Sequence, residues 1–157
     1  MSKISSTVTI GLVANPFSAR DIRRVISNAA SLQVSDRANI VMRVLSAIST
    51  CGVKRVLMMP ENGGISSFLK RDLLRKQQLG DNCFTELEMT KTPINGTVED
   101  TFASTKAMVD SGVKTIVVLG GDGTHRAVAK VCGQVPIAGI STGTNNAFPE
   151  YREPTIT

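Results

Sequence analysis

Thr115-Ile116-Val117-Val118-Leu119-Gly120-Gly121-Asp122-Gly123-Thr124 is the stretch that decides the fold of this chain. A β-branched apolar run stops at two glycines. A carboxylate, a third glycine and a threonine able to cap a helix come next, and His125-Arg126-Ala127-Val128-Ala129-Lys130 follows. A strand, a tight loop and a helix N-terminus in about ten residues is the layout that seats a phosphate at the C-terminal edge of a parallel sheet. The glycines allow close backbone approach and positive φ. Loop amides and the helix dipole favour negative charge there. Gly120, Gly121, Gly123 and Thr124 are therefore candidate phosphate ligands. Asp122 is out of place in an anion site: either it shapes the turn, or it takes part in chemistry. The dinucleotide fingerprint spaces its glycines more widely, and the Walker loop ends in Gly-Lys-Ser/Thr; neither occurs here.

Working outward, Thr7 to Ala14 reads as a buried strand that runs into Asn15-Pro16-Phe17-Ser18-Ala19-Arg20-Asp21. Val135 to Ser141 reads as another, ending in Thr142-Gly143-Thr144-Asn145-Asn146-Ala147-Phe148-Pro149. With the glycine loop, these make three loops that each follow a strand and converge on one sheet edge. Helices are expected over 21–30, from Ser35 or Asp36 to Thr50 with Ile40, Val41, Val44, Leu45 and Ile48 inward, and from Ile65 to Gln77. Lys54 to Met59 is a strand, and the alternating Phe84 to Met89 suits an edge strand. Thr97 caps a helix to Ser111, with Glu99 and Asp100 in its first turn. Regular alternation of strand and helix predicts a three-layer α/β/α domain, a mostly parallel Rossmann-like sheet with helices on both faces.

The chain has 157 residues, enough for one domain with a proper core, and 41% are apolar. No stretch is long enough to span a membrane, and the first residues lack a signal-peptide core, so the cytoplasm is the expected compartment. The cysteines, Cys51, Cys83 and Cys132, are far apart and read as reduced thiols rather than a metal set. His125 is the one histidine, which leaves no His dyad; an exposed helix position is expected for it, a ligand contact being the alternative. The net charge is +5, but the basic residues are scattered and aromatics are scarce, so nucleic acid is not expected as a partner. Small nucleotides are.

Gly120 to Thr124 resembles the GGDGT signature of the NAD kinase and diacylglycerol kinase superfamily. Asn15, Pro16 and Ser18 are similar to its Asn-Pro-x-Ser loop, and Gly143 to Asn146 to its Gly-Thr-Gly-Asn loop. Ala19, Asn145 and the pair His125-Arg126 depart from the lipid-kinase branch. Gly96 to Thr101, Ile140 to Pro149 and Glu153-Pro154-Thr155 look most like the ATP-NAD kinase-like proteins linked with acetoin catabolism. The resemblance implies ATP or another phosphoryl donor, Mg²⁺, and a hydroxyl acceptor such as NAD, with no metal ligand assigned to a residue. It implies Asp122 as the catalytic carboxylate, acting on the acceptor hydroxyl or organising the metal and phosphates. It places Asn15, Pro16, Ser18, Gly143, Thr144, Asn145 and Asn146 along the same cleft, and it implies homo-oligomers. Within this resemblance 1–150 is the nucleotide-binding domain. Residues 151–157 begin a linker to a β-rich domain that the chain lacks, so the isolated chain is expected to be inactive. A non-catalytic nucleotide-binding domain and a lipid kinase are the alternatives.

Overall fold

The computed structural model describes residues 8–16, 33–80, 85–142 and 146–148. The helix expected over 21–30, Ser18, Cys83, Phe84, Gly143, Thr144, Asn145 and the linker at 151–157 lie outside the described residues.

Among the described residues five strands form one sheet: β1 (Thr9–Ala14), β2 (Arg55–Met58), β3 (Glu86–Met89), β4 (Ile116–Gly120) and β5 (Ile137–Ser141). Their order is β3-β2-β1-β4-β5, and all four pairings are parallel. β3 stands at an edge, as its alternating sequence predicts. The described helices are α1 (Val34–Thr50), α2 (Ile65–Gln78), α3 (Val98–Asp110) and α4 (Asp122–Val131). None is long and apolar enough to cross a membrane.

The period-2 alternation of the strands sends side chains to two opposite cores. On one face Leu12, Ala14, Val56, Met58, Val117, Leu119 and Ile140 meet Ala38, Val41, Val44 and Leu45 of α1 and Ile65 and Leu69 of α2. On the other, Val13, Leu57, Ile116 and Val118 meet Met108 of α3 and Val128 and Cys132 at the end of α4. The result is the expected three-layer α/β/α domain. Gly11 matters to the second layer: a Cβ there would stand 2.8 Å from Met108 Sδ, so its absence lets α3 sit close to the sheet.

Helix starts differ from the sequence expectation. Neither Ser35 nor Asp36 caps α1; the N-cap is Gln33, and Asp36 reaches back so that its Oδ2 accepts the Gln33 amide at 3.2 Å. The carboxylate at the third helical position satisfies an amide that no helical carbonyl can reach. Thr97 is the N-cap of α3, but its hydroxyl makes no capping bond. Buried Asp100 reaches back past it instead, accepting the amides of Asn95 and Gly96 in the segment that leads into the helix.

Because Leu45 is fully buried between α1 and the sheet while Leu74 is 59% exposed, truncation separates the two. Leu45→Ala should lower unfolding free energy by about 2–5 kcal/mol. Leu74→Ala should stay within about 0.5 kcal/mol. Urea unfolding followed by circular dichroism checks both.

Candidate functional site

β4 becomes α4 through a single residue. Gly121 is the N-cap, with φ −89° and ψ −178°, and its carbonyl accepts the amides of Thr124 at 3.0 Å and His125 at 3.1 Å. None of Gly120, Gly121 and Gly123 has a positive φ. The conformational reason for glycine in this loop is therefore overturned, and at Gly120 a steric one replaces it. A Cβ at Gly120 would stand 2.7 Å from Thr124 Cβ and 2.8 Å from Thr124 Oγ1. Thr124 is thus not the helix cap; it is buried at the third helical position, packed onto Gly120. Around Gly123 there is open space.

The same early helix start corrects the expectation for His125, which is 3% exposed rather than on the surface. Its Nδ1 lies 2.9 Å from the Gly121 carbonyl oxygen. A carbonyl only accepts, so Nδ1–H donates and the ring adds a third bond to that oxygen.

A cavity of about 330 Å³ opens at this sheet edge. Asn15 and Pro16 after β1, Glu61 and Asn62 after β2, Gly96 and Thr97 ahead of α3, and Gly121, Gly123 and Thr124 at α4 line it. It lies where the strand order turns back beside β1, the place where open α/β sheets bind ligands. Asn15 Nδ2 reaches Thr124 Oγ1 at 3.4 Å, which ties the first loop to the glycine loop. Two arginine bonds brace that loop from behind: buried Arg37 donates from Nη1 to the carbonyl oxygens of Asn15 and Pro16.

The third loop meets the glycine loop through Asp122. Its Oδ2 accepts the Ala147 amide at 3.0 Å, and its Oδ1 accepts the Phe148 amide at 3.1 Å. Asn146 closes the arrangement, with Oδ1 accepting the Asp122 amide at 3.4 Å and Nδ2 donating to Ser141 Oγ at 2.7 Å. Asp122 and Asn146 therefore stand beside the cavity rather than on its wall. The Ala147 amide, then the Phe148 amide, hold the Asp122 carboxyl below its usual range, with His125 and Arg126 adding to this. The charge that seemed misplaced in an anion site sits at the first position of a helix, where the dipole favours it.

Three contributors escape the sequence reading. Arg37 had a visible signal: it falls on the stripe of Val41, Val44 and Leu45, an arginine at a core position. Glu61 sits in the strand-end loop Pro60-Glu61-Asn62-Gly63-Gly64, where its Oε1 accepts the Ser66 amide at 2.7 Å and caps α2. Asp100 is 4% exposed. Its two oxygens accept the Asn95 and Gly96 amides at 2.7–3.0 Å and Asn95 Nδ2 at 3.2 Å. In the sequence it reads only as first-turn acidity.

Two predictions follow from this geometry. Gly120→Ala should destabilise by about 1–3 kcal/mol through the Thr124 clash, whereas Gly123→Ala should stabilise by up to about 1 kcal/mol through helix propensity; thermal melts distinguish them. A depressed folded-state pKa at Asp122 means that its brace stabilises above the unfolded carboxyl range, about pH 4, and is lost as pH falls through the lower folded value. The stability gap between wild type and Asp122→Asn should accordingly be largest near neutrality and shrink in acid, measured by urea unfolding across that range.

Comparison with known proteins agrees with the geometry. Residues 10–157 match the family described as ATP-NAD kinase N-terminal domain. A curated relative, "Acetoin catabolism protein X" of Cupriavidus necator, is 56% identical over 147 residues, which cover 94% of this chain and 41% of that protein. The chain thus spans about two fifths of the length of the relative it matches. Among solved structures none matches. With a parallel sheet of this order, a glycine turn into α4 and a match over nearly its whole length, the chain belongs to the ATP-NAD kinase N-terminal domain family.

Proposed function

We propose that this domain is the nucleotide-binding half of an ATP-dependent kinase that transfers a phosphoryl group to a hydroxyl of NAD or a related acceptor. The observation that carries the reading is the cavity at the strand-order reversal, walled by Gly121, Gly123 and Thr124 at the N-terminus of α4 and by Asn15 across from them. Of the first-turn amides, that of Asp122 meets Asn146 Oδ1 and that of Thr124 the Gly121 carbonyl, so it is the Gly123 amide, together with the helix dipole, that draws anionic oxygens. Phosphoryl transfer asks a protein mainly for positioning and charge neutralisation. Loops of this kind suit that demand without a histidine base or a cysteine nucleophile. The kinship with a protein named for acetoin catabolism suggests that the kinase serves that metabolism.

Family membership implies Mg²⁺. Among the described residues no group of three His, Cys, Asp or Glu stands together to hold a metal ion, and Asp100 has both oxygens committed to amides. That donor set suits a cation carried in on the phosphates, which Mg²⁺ favours by keeping few protein ligands. Bound there, the ion would neutralise phosphate charge. Asp122 would orient the acceptor hydroxyl or take its proton, on releasing the amides of Ala147 and Phe148.

One observation favours a second reading, a binding domain without catalysis. Each Asp122 oxygen already accepts a backbone amide, and a brace of that kind needs no chemistry to explain it. Asp122→Asn decides between them. The amide keeps one acceptor but turns a donor toward a donor, so the 146–148 segment should loosen and nucleotide affinity should change by less than about tenfold. Turnover in the natural protein should fall by roughly 10²–10⁴, the scale of a positioned acid–base group. Unchanged turnover alongside a lowered melting temperature would establish the brace alone and remove the catalytic role. The 157-residue chain by itself should bind ATP weakly and phosphorylate NAD little, as a site in which each Asp122 oxygen is held by a backbone amide leaves the acceptor hydroxyl unplaced.

A further inference from the structure

Glu61 is left over once the phosphate end of the cavity is accounted for. It is 8% exposed, and its Oε1 is engaged by the Ser66 amide at 2.7 Å. Its Oε2 is buried without a hydrogen-bond partner among the described residues. A buried acceptor with no donor is costly and calls for an explanation. The loop is shaped tightly around this oxygen. A Cβ at Gly63 would stand 3.0 Å from Glu61 Oε2 and 2.3 Å from Pro16 Cβ, so glycine at that position gives the carboxylate its room. Glu61 and its neighbour Asn62 line the same cavity as Gly121, Gly123 and Thr124.

The two ends of this cavity ask for opposite chemistry. The α4 end favours an anion. The β2 end is walled by Glu61, whose buried Oε2 lacks an O–H or N–H donor. β1 alone separates β2 from β4, so the ends lie about 10 Å apart, two strand spacings. A molecule with hydroxyl donors at one end and phosphates at the other, over that span, is a nucleotide: its ribose diol faces Glu61 while its phosphates face α4.

We propose that Glu61 accepts the ribose hydroxyls of the bound nucleotide and is the residue that distinguishes a nucleotide from bare polyphosphate. The assignment rests on the nucleotide reading above and sharpens it, because it names the group recognised at the other end of the site.

Isothermal titration with Mg²⁺ and three probes tests it: ATP, 2′,3′-dideoxy-ATP and tripolyphosphate. Wild type should bind ATP more tightly than the dideoxy analogue by roughly tenfold or more, the scale of a hydrogen bond to a charged group. Glu61→Gln keeps an oxygen for the Ser66 amide and turns an NH₂ toward the diol. It should bring ATP down to the level of the dideoxy analogue and leave tripolyphosphate unchanged, with an unaltered melting temperature. Equal wild-type affinity for ATP and the dideoxy analogue overturns the assignment, whether or not the variant folds, and leaves the nucleotide reading standing. A Glu61→Gln loss shared equally by tripolyphosphate also overturns it, since the carboxylate would then serve the phosphates or their cation. Failure of wild type to bind any of the three overturns the nucleotide reading itself, and this assignment with it.

Discussion

The close packing of Thr124 onto Gly120 is the constraint on which the site depends. A strand in the middle of a parallel sheet must end, and a helix must begin, within one residue. Such a turn is sterically feasible only where the last strand residue has no Cβ, because Thr124 fills that space. The turn sets the direction of α4, and α4 fixes the rest of the edge. Its first turn faces the cavity, Thr124 meets Asn15 of the β1 loop, and Asp122 meets the chain that leaves β5. The histidine that follows is drawn inward by the same geometry and bonds the carbonyl at the pivot.

Around the cavity, acidic residues and helix starts recur together. Glu61 accepts an amide of the first turn of α2, Asp100 accepts two amides of the segment entering α3, and Asp122 begins α4. Each carboxylate occupies a position where backbone N–H groups are unsatisfied and the helix dipole is positive. The edge thereby carries three negative charges without becoming a repulsive surface for phosphates, since two of them have both oxygens committed to amides. Glu61 breaks the pattern with one oxygen uncommitted, and for that reason its chemistry differs from that of the other two.

The architecture was legible because two periodicities are written plainly. The run at β4 is apolar throughout and that at β1 is so from Ile10 onward, as suits strands covered on both faces, and α1 and α2 carry inward stripes at helical spacing. The glycine loop was legible as a strand-to-helix turn but not in its detail. The choice between positive φ and steric contact depends on where Thr124 falls, and that depends on a helix start one turn earlier than a threonine cap suggests. The roles of Glu61 and Asp100 were hidden because they accept backbone amides, which leave no mark in the sequence; Arg37 showed itself only as a charge on an apolar stripe, not by the carbonyls it holds. The bonds from Asp122 to Ala147 and Phe148 were hidden likewise, although all three residues had been placed on the correct edge.

The sheet order also bears on how the chain reaches its native state. β1 lies at the centre, bonded to β2 on one side and β4 on the other; the Gly11 amide donates to the Thr115 carbonyl, on the order of a hundred residues later. As the chain leaves the ribosome, the first strand can pair with β2 early but keeps its other edge open until β4 has been made. Through that interval a strand as apolar as Ile10 to Ala14 presents unpaired amides and carbonyls, the kind of edge that recruits foreign strands. Closing so long a loop is slow, so the same central position that protects β1 in the finished domain leaves it vulnerable during synthesis.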